Sequence, residues 1–257
     1  MPRRLGQHFL QSDSILNRIA DAVCPAREPL VIEIGPGRGA LTGKLLERAD
    51  RVIAIEVDAE LVEYLRARFS SPRFEVLHGD VLQTDLGRWG RAAIAGNLPY
   101  YITSPILEKA VRLRPTRAVF LVQKEVAQRL AAKPGTRDYG YLTVQTAAFA
   151  SVRVLFDVKP GAFRPPPKVD SAVVLLEPRE SEVPDREAFL EFVGRCFRQK
   201  RKTLRNNLAG FYAEVESLPE AGMRAEQLSL ERLLSVFIRV HPWPKQKEPR
   251  MHTDGRG

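Results

Sequence analysis

Between Pro29 and Gln123, short runs of Val, Ile and Ala alternate with stretches of helical spacing, and this alternation constrains the fold more than any other feature. Leu30–Ile34, Arg51–Ile55, Phe74–His78, Ala92–Ala95 and Ala118–Gln123 read as short buried strands. Between them, Leu41–Glu47, Ala59–Phe69 and Pro105–Leu113 have the apolar spacing of amphipathic helices, and Lys124–Ala132 follows the last strand. Parallel neighbours need a crossover connection, and strands covered on both faces become near-continuous apolar runs. The alternation therefore predicts an α/β fold built on a doubly wound, mostly parallel sheet. Ligands of such sheets sit beyond the carboxyl ends of the strands, so the residues that follow each run are the ones to inspect.

The pattern then changes. Val152–Val158 and Ser171–Leu176 read as two more strands, joined by the proline-rich turn Lys159–Lys168, which brings the predicted sheet to seven strands with an antiparallel strand at its edge. After Glu177 the polar stretch PRESEVPDRE suggests a linker. Glu187–Phe197, Lys202–Phe211 and Leu230–Ile238 then read as helices. This divides the chain into a sheet domain over residues 1–178, a small α-helical C-terminal domain over 179–240, and a tail over 241–257 expected to be disordered. No internal repeat is present. The longest apolar stretches, such as Val119–Val122 and Ala172–Leu176, are far short of a membrane span, and the N-terminus has no apolar signal region. Cys24 and Cys196 lie far apart and outside any CxxC pair, and His8, His78, His241 and His252 lack metal-binding spacing. A cytoplasmic, metal-free protein with no disulfide framework is expected.

The first predicted strand ends in Glu33-Ile34-Gly35-Pro36-Gly37-Arg38-Gly39-Ala40. Glycines at this position let the backbone turn tightly and approach a ligand, and the next helix begins with exposed amides. Gly35 and Gly37 alone leave the ligand open: the turn also fits the dinucleotide fingerprint, with Glu56 as the ribose acid of a nicotinamide enzyme. Glu56 closes the second strand and Asp80 follows the third. A carboxylate accepts hydrogen bonds from both ribose hydroxyls, and an acid after the third strand suits the exocyclic amine of adenine. Each acid alone is an ordinary turn or helix cap. Three successive strand ends of this kind describe an adenosine pocket.

After the fourth strand comes Asn97-Leu98-Pro99-Tyr100, which resembles the Asp/Asn/Ser-Pro-Pro-Tyr/Phe motif of amino-group methyltransferases. An adenine N6 lone pair is delocalised into the ring, so the amine is a poor nucleophile. The Asn97 side-chain oxygen and the Leu98 carbonyl can accept its two N–H groups and favour a more tetrahedral nitrogen. Pro99 stiffens the turn that aims the carbonyl. Tyr100 offers a face on which a base withdrawn from its neighbours can stack.

The formal net charge of +9 favours a polyanionic partner. Arg195, Arg198, Lys200, Arg201, Lys202 and Arg205 fall within one short stretch that contains no acid. Solvated faces normally interleave both signs, and like charges this dense repel one another on a helix. RNA phosphates are the better explanation, and Arg164 and Lys168, flanking the prolines, extend the footprint. Recognition by shape and by unstacked bases is expected, not by a sequence-reading helix.

The stretches GQHFL, VIEIGPGRGALT, AIEVD, GDVL, GNLPYYITSPIL, LVQKEVAQRL, YGYLTVQ, FRPPPKVDSAVVLL and RQKRKTLRNNL follow in order over residues 3–240. Together they resemble the ribosomal RNA adenine dimethyltransferases, specifically the bacterial small-subunit (16S) branch. The resemblance implies a class I, Rossmann-like fold that uses S-adenosylmethionine, with His8, Leu10, Gly35, Glu56, Asp80 and Asn97 lining the cofactor site. It implies that Asn97 to Tyr100 hold the target amine and that Phe163 stacks opposite Tyr100. The family often has Asn at the position of His8. The implied reaction is direct methyl transfer, without a general base, to two adjacent adenosines in a hairpin loop near the 3′ end of small-subunit RNA. The implied partner is a small-subunit assembly intermediate, and the expected state is a monomer.

Four alternatives are weighed against this. Large-subunit methyltransferases that confer macrolide resistance share the motif, but FRPPPKVDSAV and RQKRKTLRNNL resemble the small-subunit branch more closely. A DNA adenine methyltransferase would bring a separate target-recognition domain. A nicotinamide oxidoreductase explains neither NLPY nor the basic stretch. A non-catalytic assembly factor that checks the immature subunit is compatible with catalysis.

Overall fold

The computed structural model describes residues 8–241; the expected disordered tail beyond His241 lies outside the described residues. The main sheet uses β2 (Val31–Ile34), β3 (Val52–Glu56), β4 (Phe74–His78), β5 (Ala93–Asn97), β6 (Ala118–Gln123), β7 (Ala150–Val158) and β9 (Ser171–Pro178). Their spatial order is β4-β3-β2-β5-β6-β9-β7. From β4 to β6 every pairing is parallel, with Val31 opposite Val52 on one side and Ala93 on the other. The chain order reverses direction at β2, and such a switch point opens a crevice beyond the strand ends.

Alternation along each strand sorts the core into two faces. Ile32, Ile34, Ile94, Phe120 and Val174 face one side, where α4 (Thr103–Leu113), α5 (Lys124–Leu130) and α6 (Tyr141–Ala147) cover them. Val31, Val52, Ala93, Leu121 and Val173 face the other side, against α1 (Asp13–Val23) and α2 (Ala40–Arg48). The α1 face is set by sequence: Leu16, Ile19, Ala20 and Val23 recur at helical spacing and are buried. The next crossover, α3 (Ala59–Arg68), is capped by the Asp58 carboxylate, which accepts the Glu60 and Leu61 amides. Gly96 allows β2 and β5 to approach closely, because a Cβ there would stand 2.6 Å from the Ile34 carbonyl oxygen.

The antiparallel strand does not lie at the sheet edge. β9 sits one place in, paired antiparallel to both β6 and β7. Ser171–Leu176 is buried at every position and needs a neighbour on each side, whereas β7 exposes Arg153 and Val154 and takes the edge. The expected helix Lys202–Phe211 contracts to α8 (Leu204–Leu208), so residues 198–203 form turns and the basic stretch is not one helix. The helices α1 and α6, and a ladder between β1 (Phe9–Leu10) and β8 (Phe163–Arg164), add to the sequence-based elements.

The last helices, α7 (Arg186–Cys196) and α9 (Leu230–Val240), bring Phe189, Phe192 and Phe237 together. The Phe189 and Phe237 rings meet edge-on, with centroids 5.3 Å apart. These residues belong to the same apolar cluster as Ile34 and Phe120, so the helical C-terminal segment shares a continuous core with one face of the sheet.

Candidate active site

At the switch point a cavity of about 790 Å³ opens beyond the carboxyl ends of β2, β3, β4 and β5. Gly35 and Gly37 form its floor with φ of +65° and +56°, conformations that side-chain-bearing residues rarely adopt. A Cβ on Gly37 would meet the Phe9 ring at 3.0 Å, so the bare backbone leaves room for β1 to lie over the loop. The Gly37 amide donates to Glu56 Oε2 at 3.1 Å, and the Val57 and Asp58 amides donate to Oε1 at 2.9 and 3.1 Å. These bonds tie the glycine turn to the end of β3. They also hold the carboxylate as an acceptor, with lone pairs left for hydroxyls. Burial pushes the Glu56 carboxyl above its ordinary value, and the three amides oppose that shift.

Asp80 begins the turn after β4, where its Oδ1 accepts the Leu82 amide at 2.8 Å. Lys109 of α4 donates to the carbonyls of Leu82 and Thr84 at 2.9 and 2.7 Å, so one cation pins the Asp80 turn to the helix that follows NLPY. Asn97, the last residue of β5, donates from Nδ2 to the His8 carbonyl at 3.0 Å. That bond assigns the amide orientation and leaves Oδ1, which has no partner among the described residues, as an acceptor for a ligand. The Leu98 amide is taken by the Leu121 carbonyl at 3.0 Å, while the Leu98 carbonyl accepts no hydrogen bond among the described residues. Pro99 begins a 3₁₀ turn over Tyr100–Ile102. The Tyr100 hydroxyl bonds Ser171 Oγ at 3.0 Å, and its ring stacks near that of His8, with centroids 6.0 Å apart.

The cavity thus brings together His8, Leu10, Gly35, Gly37, Glu56, Asp80 and Asn97, as well as Leu98, Pro99 and Tyr100. His8 takes part through its carbonyl, while its Nδ1 donates to the Pro165 carbonyl at 2.8 Å. Phe163 is not on the cavity wall. It is fully buried in the apolar cluster with Leu10, Leu121 and Val173, and its backbone pairs with Leu10. In this conformation it has no face to offer a base; it holds β1 in place over the glycine turn. Glu33 of β2, passed over in the sequence, lines the cavity at 1% exposure and receives a hydrogen bond from Thr42 Oγ1 at 2.6 Å. Val57, Val81 and Leu82 add apolar walls, and the signal for them is their position directly after the two acids. Tyr64, Arg68 and Arg38 line the same cavity from exposed positions.

The predicted RNA-contacting residues lie off the cavity wall. Arg164, in β8, and Lys168, just beyond it, are exposed; Arg198, Lys200, Arg201 and Lys202 are exposed on the turns between α7 and α8, and Arg205 is exposed on α8. Lys200 is partly engaged, facing Glu226 at 3.6 Å and donating to the Arg137 carbonyl. Arg195 pairs with Glu191 and covers the Phe211 ring. Among the described residues, Arg198, Arg201, Lys202 and Arg205 have no acid within ion-pair distance. Both cysteines are buried, and burial pushes the Cys24 thiol up to about 11, which removes it as a nucleophile. Among the described residues no cluster of acids, His or Cys could hold a metal ion, and no helix is long and apolar enough to cross a membrane.

A sequence model of the ribosomal RNA adenine dimethylase family matches residues 2–241. The chain belongs to this family. Within it, the chain is 41% identical to a protein of Chlorobium luteolum named ribosomal RNA small subunit methyltransferase A, over 99% of this chain and 94% of that one. A protein of the same name from Acidobacterium capsulatum is 43% identical over 91% of this chain and 89% of its own. The fold resembles the crystal structure of a dimethyladenosine transferase from Plasmodium falciparum, with a TM-score of 0.80 and 29% identity, covering 90% and 97% of the two chains. The 23S rRNA methyltransferase ErmE is also similar, with a TM-score of 0.67 and 29% identity over 88% and 98%. The family places the cavity in an α/β methyltransferase architecture, with a seven-stranded, mostly parallel sheet.

Proposed function

We propose that this chain transfers methyl groups from S-adenosylmethionine to N6 of adenosine in ribosomal RNA, dimethylating two adjacent adenosines in the 3′-terminal hairpin loop of 16S rRNA. The observation that carries the reading is the Asn97 amide, whose nitrogen is held by the His8 carbonyl so that its oxygen is left for the target amine. The donor fits the cavity: a buried carboxylate for ribose hydroxyls, a glycine cradle, apolar walls and a second acid converge on one space. When bound, it supplies a methyl group made electrophilic by a sulfonium.

The residues of this chain supply the rest. Asn97 Oδ1 and the Leu98 carbonyl accept the two N–H groups and concentrate the nitrogen lone pair away from the ring. Tyr100, anchored by Ser171, provides the stacking face. The surrounding apolar walls keep water from competing for those acceptors. The amine is a strong enough acid once alkylated to lose its proton without a positioned base. The basic turns between α7 and α8, with Arg164 and Lys168, are assigned to RNA phosphates, and residues 179–240 to RNA docking. The working form is taken to be a cytoplasmic monomer without a metal, acting on a small-subunit assembly intermediate.

The small-subunit branch is favoured over the large-subunit branch by the names of the relatives above 40% identity. The test is tritiated methyl transfer to small subunits that lack the modification, followed by nucleoside analysis. We expect N6,N6-dimethyladenosine from the unaltered chain. Asn97→Ala should lower its formation by roughly two orders of magnitude, the scale of losing one preorganised hydrogen-bonding group, while leaving subunit binding intact. Label in naked large-subunit RNA instead would move the chain to the other branch. No label in either RNA would overturn the methyltransferase reading.

A further inference from the structure

Tyr101 directly follows the motif residue Tyr100, yet the two side chains have opposite circumstances. Tyr100 is drawn inward by Ser171 and flanked by His8. Tyr101 is 65% exposed, more than any other large hydrophobic side chain described, and has no hydrogen bond or ring partner among the described residues. Both lie in one 3₁₀ turn, where successive side chains point about 120° apart. The turn therefore aims the two rings in different directions. Tyr101 still contributes to the cavity lining, so its ring stands at the opening.

We propose that Tyr101 is a base-stacking platform for the nucleotide next to the one being methylated. This rests on the functional reading above and adds to it how a substrate with two adjacent adenosines is held. A base withdrawn from a loop pulls on its neighbour, which loses its own stacking partner. An exposed aromatic ring at the opening replaces that partner, and any base can use it because every base has a flat face. The arrangement divides the work. Tyr100 and Asn97 hold the reacting base, and Tyr101 retains the adjacent one between rounds of transfer.

The test uses an RNA hairpin whose loop contains two adjacent adenosines, with 2-aminopurine replacing one of them, titrated with the unaltered chain, Tyr101→Ala and Tyr101→Phe. Stacking quenches 2-aminopurine fluorescence. The unaltered chain and Tyr101→Phe should quench it, whereas Tyr101→Ala should not and should bind the hairpin about tenfold more weakly, within the range for one base–aromatic stack. The Kd for S-adenosylmethionine should be equal in all three. Equal quenching and affinity in Tyr101→Ala would overturn the proposal. So would a matching loss of S-adenosylmethionine affinity, which would make the ring part of the cofactor wall. Methylation of small subunits by the unaltered chain, measured alongside, separates a failure of the functional reading from a failure of this one.

Discussion

Burial inside β2 pushes the Glu33 carboxyl up to about 7, the Thr42 hydrogen bond pulls it down, and the neighbouring Glu56 charge pushes it up again. Its ordinary value is 4.5, so the folded state holds a proton that the unfolded chain has lost. A carboxyl raised in this way stabilises the fold fully at low pH, and that contribution disappears as pH rises through about 7. The expected decline is about 3 kcal/mol. Glu33→Gln should flatten thermal stability over this window, as read by calorimetry at a series of pH values. A decline of unchanged size would assign the titration to another group, with Glu56 the nearest. The neutral form also leaves Glu56 as the sole charge of the pair facing the cavity. Sequence spacing marks Glu56 and Asp80 because one ends a strand and the other closely follows one. Glu33 lies within a strand, and only the packing around β2 shows that its side chain borders the ligand space.

At the scale of elements, the turns after β2, β3, β4 and β5 meet because parallel strands aligned in register end at one edge. Gly96 makes the central pair possible. Gly96→Ala would drive a Cβ to 2.6 Å from the Ile34 carbonyl oxygen, an atom that cannot rotate aside. The expected cost is about 2 kcal/mol or more, seen as a lower midpoint in chemical denaturation. S-adenosylmethionine affinity should fall as well, because Ile34 and Asn97 flank the displaced strand ends. Matching midpoints would show that the strands separate freely. The short ladder joining Leu10 to Phe163 was beyond the reach of periodicity, since two-residue strands have no period to read. The family resemblance implies that Phe163 stacks opposite Tyr100; in this conformation that ladder and its burial set the ring behind the cavity wall.

For the whole molecule, the question is how the cavity, proposed above to hold donor and target base, and a separate basic surface would serve one RNA. Arg201 and Lys202, which have no acid within ion-pair distance among the described residues, sit on turns that α7 and α9 fix to the sheet through a shared core. Arg201→Glu with Lys202→Glu should weaken RNA binding and reduce the slope of log affinity against log salt by about 0.7 for each phosphate that is no longer neutralised. Cofactor affinity should be unaffected. An unchanged slope would mean that these turns face away from RNA. Lys200 is expected to contribute less, because Glu226 already neutralises part of its charge.

The alternating pattern, by itself, determined the α/β class and the strand ends that bear the glycines, Glu56, Asp80 and NLPY, because burial on both faces and crossover helices leave periodic traces in a sequence. Local chemistry was legible for the same reason: a turn glycine or a strand-end acid acts where it stands in the chain. Tertiary structure alone decided which groups meet. The insertion of β9 beside β6, the placing of the His8 carbonyl on Asn97, the burial of Phe163 and Glu33, and the exposure of Tyr101 all depend on contacts between residues far apart in the chain or on the packing around them. No local pattern encodes such contacts, since they follow from how whole faces pack against one another.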